Sequence, residues 1–128
     1  MRTIKFRGKE IESGQWVYGF YTQGSFIGTD TTRHLIDSDM LYDVIENTVC
    51  QFTGLLDKNG IEIYEGDIVT FSNHLQGLSR VVYDYAGFYI ENKVYSTLLR
   101  PMMNNHIRVV GNIHDNPELL KSNKPFER

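Results

Sequence analysis

Apolar and polar positions alternate along most of this chain with a period of two. In residues 3–7, Ile4 and Phe6 fall to one side and Thr3, Lys5 and Arg7 to the other, the pattern of a half-buried strand. A turn signal at Glu12-Ser13-Gly14 precedes Gln15–Tyr21, which sets Trp16, Tyr18 and Phe20 on one face and Val17, Gly19 and Tyr21 on the other. Large aromatics are chiefly material for burial, so this row is expected in the core. Gln23-Gly24 is expected to turn the chain into a hairpin partner at Ser25-Phe26-Ile27-Gly28. Residues 29–47 are less regular. Asp30–Arg33 reads as loop, His34-Leu35-Ile36 as a short strand, and Asp37-Ser38-Asp39 as the cap of a brief helical turn through Asp43.

Thr48–Thr53 is β-branched and aromatic and predicts a strand that Gly54 interrupts. Asn59-Gly60 lies between the apolar runs Leu55-Leu56 and Ile61–Ile63, and predicts a hairpin with positive φ at both central residues. Glu65-Gly66-Asp67 makes a sharp bend. After it Ile68, Thr70 and Ser72 face one way, and Asp67, Val69 and Phe71 the other. A turn, Gly-Asp and a β-branched strand open small SH3-like barrels, because a diverging turn needs glycine freedom and a side-chain acceptor. Beyond a polar loop at Asn73–Ser79, a meander follows at Arg80–Tyr85, Phe88–Glu91 and Val94–Leu99, with turns at Ala86-Gly87 and Asn92-Lys93. In its first strand Val81, Tyr83 and Tyr85 share one side. After a loop at Pro101–Asn105, Ile107–Ile113 is the last strand, and Asn116 caps a short helix that Pro117 opens. The expected fold is all-β. An N-terminal antiparallel β subdomain spans residues 1–55, an SH3-like small barrel with a short C-terminal helix spans 56–120, and 121–128 is a frayed tail.

Composition narrows the function classes. Of 128 residues, 41% are hydrophobic and 23% charged, ordinary globular usage that argues against disorder throughout. The net charge of −3 lacks the basic balance of a typical nucleic-acid binder. Cys50 is the single cysteine, so no intramolecular disulfide can form; a buried structural thiol in a reducing compartment is expected. The polar start MRTIKFRGKE and the lack of any run near about 20 apolar residues lead to an expectation of a cytoplasmic protein with no membrane segment.

Candidate chemistry is sparse. His34, His74, His106 and His114 are scattered, and none pairs with another or with Cys50 at zinc-ligand spacing. Asp57–Gly60 fails as a calcium loop because Ile61 occupies a ligand position. There is no GxGxxG, P-loop, GxSxG or HExxH, so no metal, no cofactor and no catalytic residue are expected. Glu65 and Asp67 could be cast as an acid–base pair, and His114 as a further catalytic group. Two carboxylates so close in a turn are more often backbone acceptors. Arg80 with Tyr83, Tyr85 and Tyr89 could form an aromatic-and-cation surface for a peptide or single-stranded nucleic acid. The same rings could instead close the barrel, and for most of them burial is the expectation. Arg2, Lys5, Arg7 and Lys9 read as a solvated strand face that discourages edge pairing.

Three stretches carry a resemblance. Arg2–Gly8 with Trp16-Val17-Tyr18-Gly19 resembles the opening of YopX-family proteins of phages and prophages. Thr48–Leu55, Asp57-Lys58-Asn59-Gly60 and Ile63–Val69 are similar to that family's central signature, and Val110–Leu120 to its terminal motif. The resemblance covers nearly the whole chain, with 24–46 and 72–106 matching loosely. It implies a β-rich protein with a C-terminal SH3-like barrel, in a mobile element inside a bacterial host. It brings no catalytic residue. Asn59, Gly60, Glu65, Gly66, Asp67, Asn116 and Pro117 are its motif positions, and they read as backbone-shaping residues. The expected function is a non-enzymatic binding or adaptor module acting on an unidentified host or phage protein, with homo-oligomerisation expected. Nucleic-acid binding through Arg80, Tyr83, Tyr85 and the Arg2/Lys5/Arg7 face is the alternative, and an enzyme the third.

Overall fold

The computed structural model describes residues 3–25, 32–71 and 77–121. The chain divides into two units, Met1–Phe52 and Thr53–Arg128. Arg2, His74, the expected partner strand at 26–28 and the tail beyond Lys121 lie outside the described residues.

The first unit contains β1 (Phe6–Lys9), β2 (Trp16–Ser25), β3 (Thr32–Asp37), β4 (Leu41–Asp43), a 3-10 turn at Glu46–Thr48 and the start of β5 (Cys50–Leu56). All pairings are antiparallel in the order β4-β3-β2-β1-β5. A bridge between Glu10 and Val44 joins the ends of β1 and β4, so the first four strands close on themselves. Closure removes open edges and explains the glycines at the close approaches. A Cβ on Gly19 would lie 2.2 Å from the Asp37 carbonyl oxygen, and one on Gly8 would lie 3.1 Å from Val44 Cβ. Ile36 and Val44 are buried inside this ring.

Several expectations for this unit are corrected. β1 begins at Phe6, later than expected, and Ile4 is exposed. Gln23 and Gly24 do not turn the chain; they pair with His34 and Arg33 inside a continuous β2–β3 ladder. Asp37–Asp39 starts no helix. Ser38 N–H donates to Met40 O (2.9 Å) in a tight bend, and Leu41–Asp43 returns as a strand. The aromatic row is not core, for Tyr18 and Phe20 are exposed and Trp16 is half-buried. Alternation specifies that two faces differ but not which of them is covered. Arg7, expected in water, is buried with its guanidinium 4.5 Å from the centre of the Trp16 ring. A guanidinium is weakly hydrated and stacks on aromatic faces, which makes such burial tolerable. Cys50 is buried as expected and its thiol donates to Thr48 O (3.2 Å).

The second unit has β6 (Glu62–Tyr64), β7 (Asp67–Phe71), β8 (Ser79–Asp84), β9 (Gly87–Glu91), β10 (Ser96–Leu98), a 3-10 segment at Pro101–His106, β11 (Ile107–Asn112) and α1 (Glu118–Lys121). Five strands form an antiparallel sheet in the order β10-β9-β8-β7-β11. This is a meander whose last strand returns to pair with its first. Ile63, Val69, Val81, Ile90, Leu99, Met103 and Ile107 form one buried cluster. A bulge at Val110 breaks the expected alternation of β11, since Val109 faces Val69 while Gly111 faces Ile68. Gly54 does not end β5; it sits within the strand at φ +90°.

Candidate functional site

The motif residues lie at the turns of the second unit. Gly66 takes φ +88°, and Asp67, almost fully buried, accepts the Tyr64 amide on Oδ2 (2.7 Å) across the bend. Gly66 itself donates to Val81 O (2.8 Å) and accepts from Ile113 N (2.9 Å), tying the bend to two further segments. Glu65 is half-buried beside it. At the Asn59-Gly60 turn only Gly60 is left-handed (φ +80°). The three-residue loop is a turn followed by a left-handed glycine, not the two-residue form expected. Its centre is Asp57, which the sequence places in the turn without marking it as the turn's organiser. Oδ1 of this buried carboxylate accepts from Asn59 N (2.8 Å) and Ile61 N (2.9 Å), and Oδ2 from Val109 N (2.9 Å).

The terminal motif closes on itself in the same way. Asn112 Oδ1 accepts from the amides of His114 and Asp115, both at 2.9 Å. Asn116 turns its side-chain oxygen back to Asn112 N (3.2 Å), and its main-chain carbonyl, in place of the expected side chain, takes the Leu119 amide at the helix start (3.1 Å). A Cβ on Gly111 would lie 2.6 Å from that Asn116 oxygen, so a larger residue there would have to displace the Asn116 side chain. Pro117 stands exposed just before α1.

The binding candidates Arg80, Tyr83, Tyr85 and Tyr89 lie on the β8–β9 hairpin, and the ladder register sorts them. Paired residues in an antiparallel sheet share a face. Arg80 opposes Glu91, Val82 opposes Tyr89, and on the other side of β9 Glu91 and Tyr89 oppose Ser96 and Leu98. Arg80, Tyr89, Glu91 and Leu98 therefore share one face. Val81, Tyr83, Phe88 and Ile90 share the other, which carries the core. The turn falls one residue earlier than expected, at Tyr85-Ala86, with both residues at positive φ (46° and 62°). Tyr85 thereby leaves the Val81–Tyr83 face and meets Tyr89 edge-on, ring centres 6.4 Å apart. Tyr83 packs edge-on against Phe88 at 5.1 Å. Most rings were expected to close the barrel, yet Tyr83 is 53% exposed and Tyr85 85% exposed.

At the far end of this face a cavity of about 300 Å³ is lined by Arg80, Glu91, Asn92, Lys93 and Leu120. The Arg80 guanidinium reaches Glu91 Oε1 at 3.4 Å. Asn92 builds the rim by accepting the amides of Val94 (2.8 Å) and Tyr95 (3.1 Å) on its side-chain oxygen. One face thus presents an aromatic tip, an apolar middle at Leu98 and a charged pocket.

The first unit holds a second polar group that spacing did not reveal. The Tyr21 hydroxyl lies 2.6 Å from His34 Nδ1, and His34 Nε2 lies 3.5 Å from Glu46 Oε1. Nearby, Arg33 and Asp43 form a two-contact ion pair across β3 and β4. That contact holds the Asp43 carboxyl below its usual range and the Arg33 guanidinium above its own.

Residues 5–121 match the family model described as YopX protein. The chain is also similar to a solved structure, the crystal structure of protein EF1440 from Enterococcus faecalis. That likeness has a TM-score of 0.60 and 25% sequence identity, and it covers 94% of this chain and 99% of that one. No curated protein matches. No helix among the described residues is long and apolar enough to cross a membrane.

Proposed function

The chain belongs to the YopX family, and from that premise we propose that it is a non-enzymatic binding or adaptor module that acts through protein–protein contacts. The observation that carries this reading is the aromatic tip of the β8–β9 hairpin, where Tyr85 is 85% exposed on a two-residue turn whose residues both take positive φ. Left-handed backbone costs a non-glycine residue about 1–2 kcal/mol, and such strain clusters at functional sites. Tyrosine suits recognition because it carries a large rigid apolar ring with a polar end at low entropic cost. Asp67, one of the two carboxylates that could be cast as an acid–base pair, supports the same reading, since it spends an oxygen on the Tyr64 amide.

The second unit, with its meander and returning last strand, is on this reading an SH3-like small barrel, a scaffold that hosts many binding functions. The setting we infer is a phage or prophage protein in the cytoplasm of a bacterial host. The test is capture from host lysate by the tagged chain and by Tyr85→Ser and Tyr89→Ser. A retained protein that both variants lose, with unchanged melting, supports the hairpin as the contact. Retention indifferent to both variants refutes it, and retention of single-stranded nucleic acid that falls steeply with salt would put the alternative in its place.

A further inference from the structure

β10 ends its sheet, and no strand among the described residues pairs with its outer side. The ladder shows which of its main-chain groups look outward. Asn92 N donates to Tyr95 O (2.9 Å) and Leu99 N to Phe88 O (2.8 Å), so odd-numbered residues of this segment bond inward to β9. By the alternation of an antiparallel ladder, the amides and carbonyls of Ser96 and Leu98 point to the edge. Neither has a hydrogen-bond partner there among the described residues. Both residues are exposed, Leu98 at 41%. The Leu98 side chain lies against β9, with Cδ1 3.2 Å from where a Cβ on Gly87 would stand, and it opposes Tyr89. An added strand would therefore run beside the Tyr85–Tyr89 face.

Charge brackets this edge. Lys93 precedes it and Arg100 follows it, and no acidic residue lies between them in the sequence. Neither cation has an ion-pair partner among the described residues. The bracket argues against a second copy as the occupant. Antiparallel pairing of two β10 edges about Thr97 would set Arg100 of one copy opposite Val94 of the other, one residue from Lys93, so that cations meet at both ends. Like charges so placed oppose association.

We propose that β10 is a docking edge for an extended peptide segment, apolar in its middle and acidic at both ends, which adds to the sheet as a further strand. The proposal rests on the binding-module reading and names the chemistry of the partner. Main-chain groups of Ser96 and Leu98 supply the ladder, Leu98 and Tyr89 receive an apolar side chain, and Lys93 and Arg100 select acidic ends. The test is fluorescence anisotropy with the full chain and two labelled peptides, Glu-Glu-Val-Thr-Val-Thr-Val-Glu-Glu and the same sequence with lysine for glutamate. The acidic peptide is expected to bind about tenfold or more tightly than the basic one, and Lys93→Glu with Arg100→Glu to reverse the preference.

Leu98→Pro removes an outward amide without touching the β9 ladder, and is expected to abolish binding; Ser96→Pro does the same should the first variant melt early. Equal binding of both peptides, no binding of either, or binding that survives both proline variants overturns the proposal. A dimer in solution that the proline variants dissociate overturns it in favour of a second copy. If Leu98→Pro still captures a partner that Tyr85→Ser loses, the hairpin reading stands and the docking edge falls.

Discussion

Asp57 shows how one side chain can organise a turn and a strand together. Its two oxygens take three backbone amides, two within the 57–61 loop and one, from Val109, 52 residues away. A buried amide stripped of its acceptor loses roughly 1–3 kcal/mol, less where water reaches it. Asp57→Ala is therefore expected to cost about 3 kcal/mol in urea denaturation, with an unchanged slope against denaturant. Asp57→Asn should recover only part of this, because its NH2 group must face one of the three donors. A loss below about 1 kcal/mol for the alanine variant would show that the amides find other partners. The sequence offered half of this arrangement. Asp followed by Asn-Gly announces a local acceptor, but nothing in the spacing links residue 57 to 109. Tyr85-Ala86 stayed hidden for a similar reason, since a turn with two positive φ values is announced by Asn or Gly and here has neither.

At the level of elements, local chemistry was legible and the choice of face was not. Gly66-Asp67 is legible as a bend because its cause lies within four residues. β2 was cut short at Gln23-Gly24 because a turn dipeptide also fits inside a long strand when its partner supplies the register. Trp16, Tyr18 and Phe20 alternated as expected, but what covers a strand face is decided by elements far away in the chain. β3 and β4 are joined by the Arg33–Asp43 pair, which yields a pH prediction. The guanidinium contact holds the Asp43 carboxyl below its ordinary value of 3.8. Its stabilising effect is therefore present above the unfolded-state value and fades as the pH falls through the lower folded value. The wild-type chain is expected to lose a small part of its first-unit stability below about pH 4, and Asp43→Asn to show that same small loss already at pH 7 and no such acid dependence. Thermal melts followed by Trp16 fluorescence from pH 7 down to pH 3 measure it. Parallel pH profiles for the two proteins would exclude the pair as the cause.

At the scale of the molecule, the two units differ in how they are secured. The first closes four strands into a ring with one bridge at Glu10 and Val44. The second holds a single buried cluster from Ile63 to Ile107, all seven members of which lie after Thr53. Its turns are also locked internally, by Asp57, by Asp67 and by the Asn112–Asn116 group. Every residue of the proposed hairpin and docking edge, from Arg80 to Arg100, stands on that unit. A core and its turn locks contained in one segment are what an independently folding domain requires. Residues 53–128 expressed alone are therefore expected to give dispersed amide spectra and one cooperative urea transition. They should also keep the preference for the acidic peptide within about threefold of the full chain, since the charges that set it come along. Collapsed spectra without dispersion would mean that the cluster depends on chain before Thr53. A folded fragment that has lost the peptide would mean instead that residues before Thr53 complete the binding face.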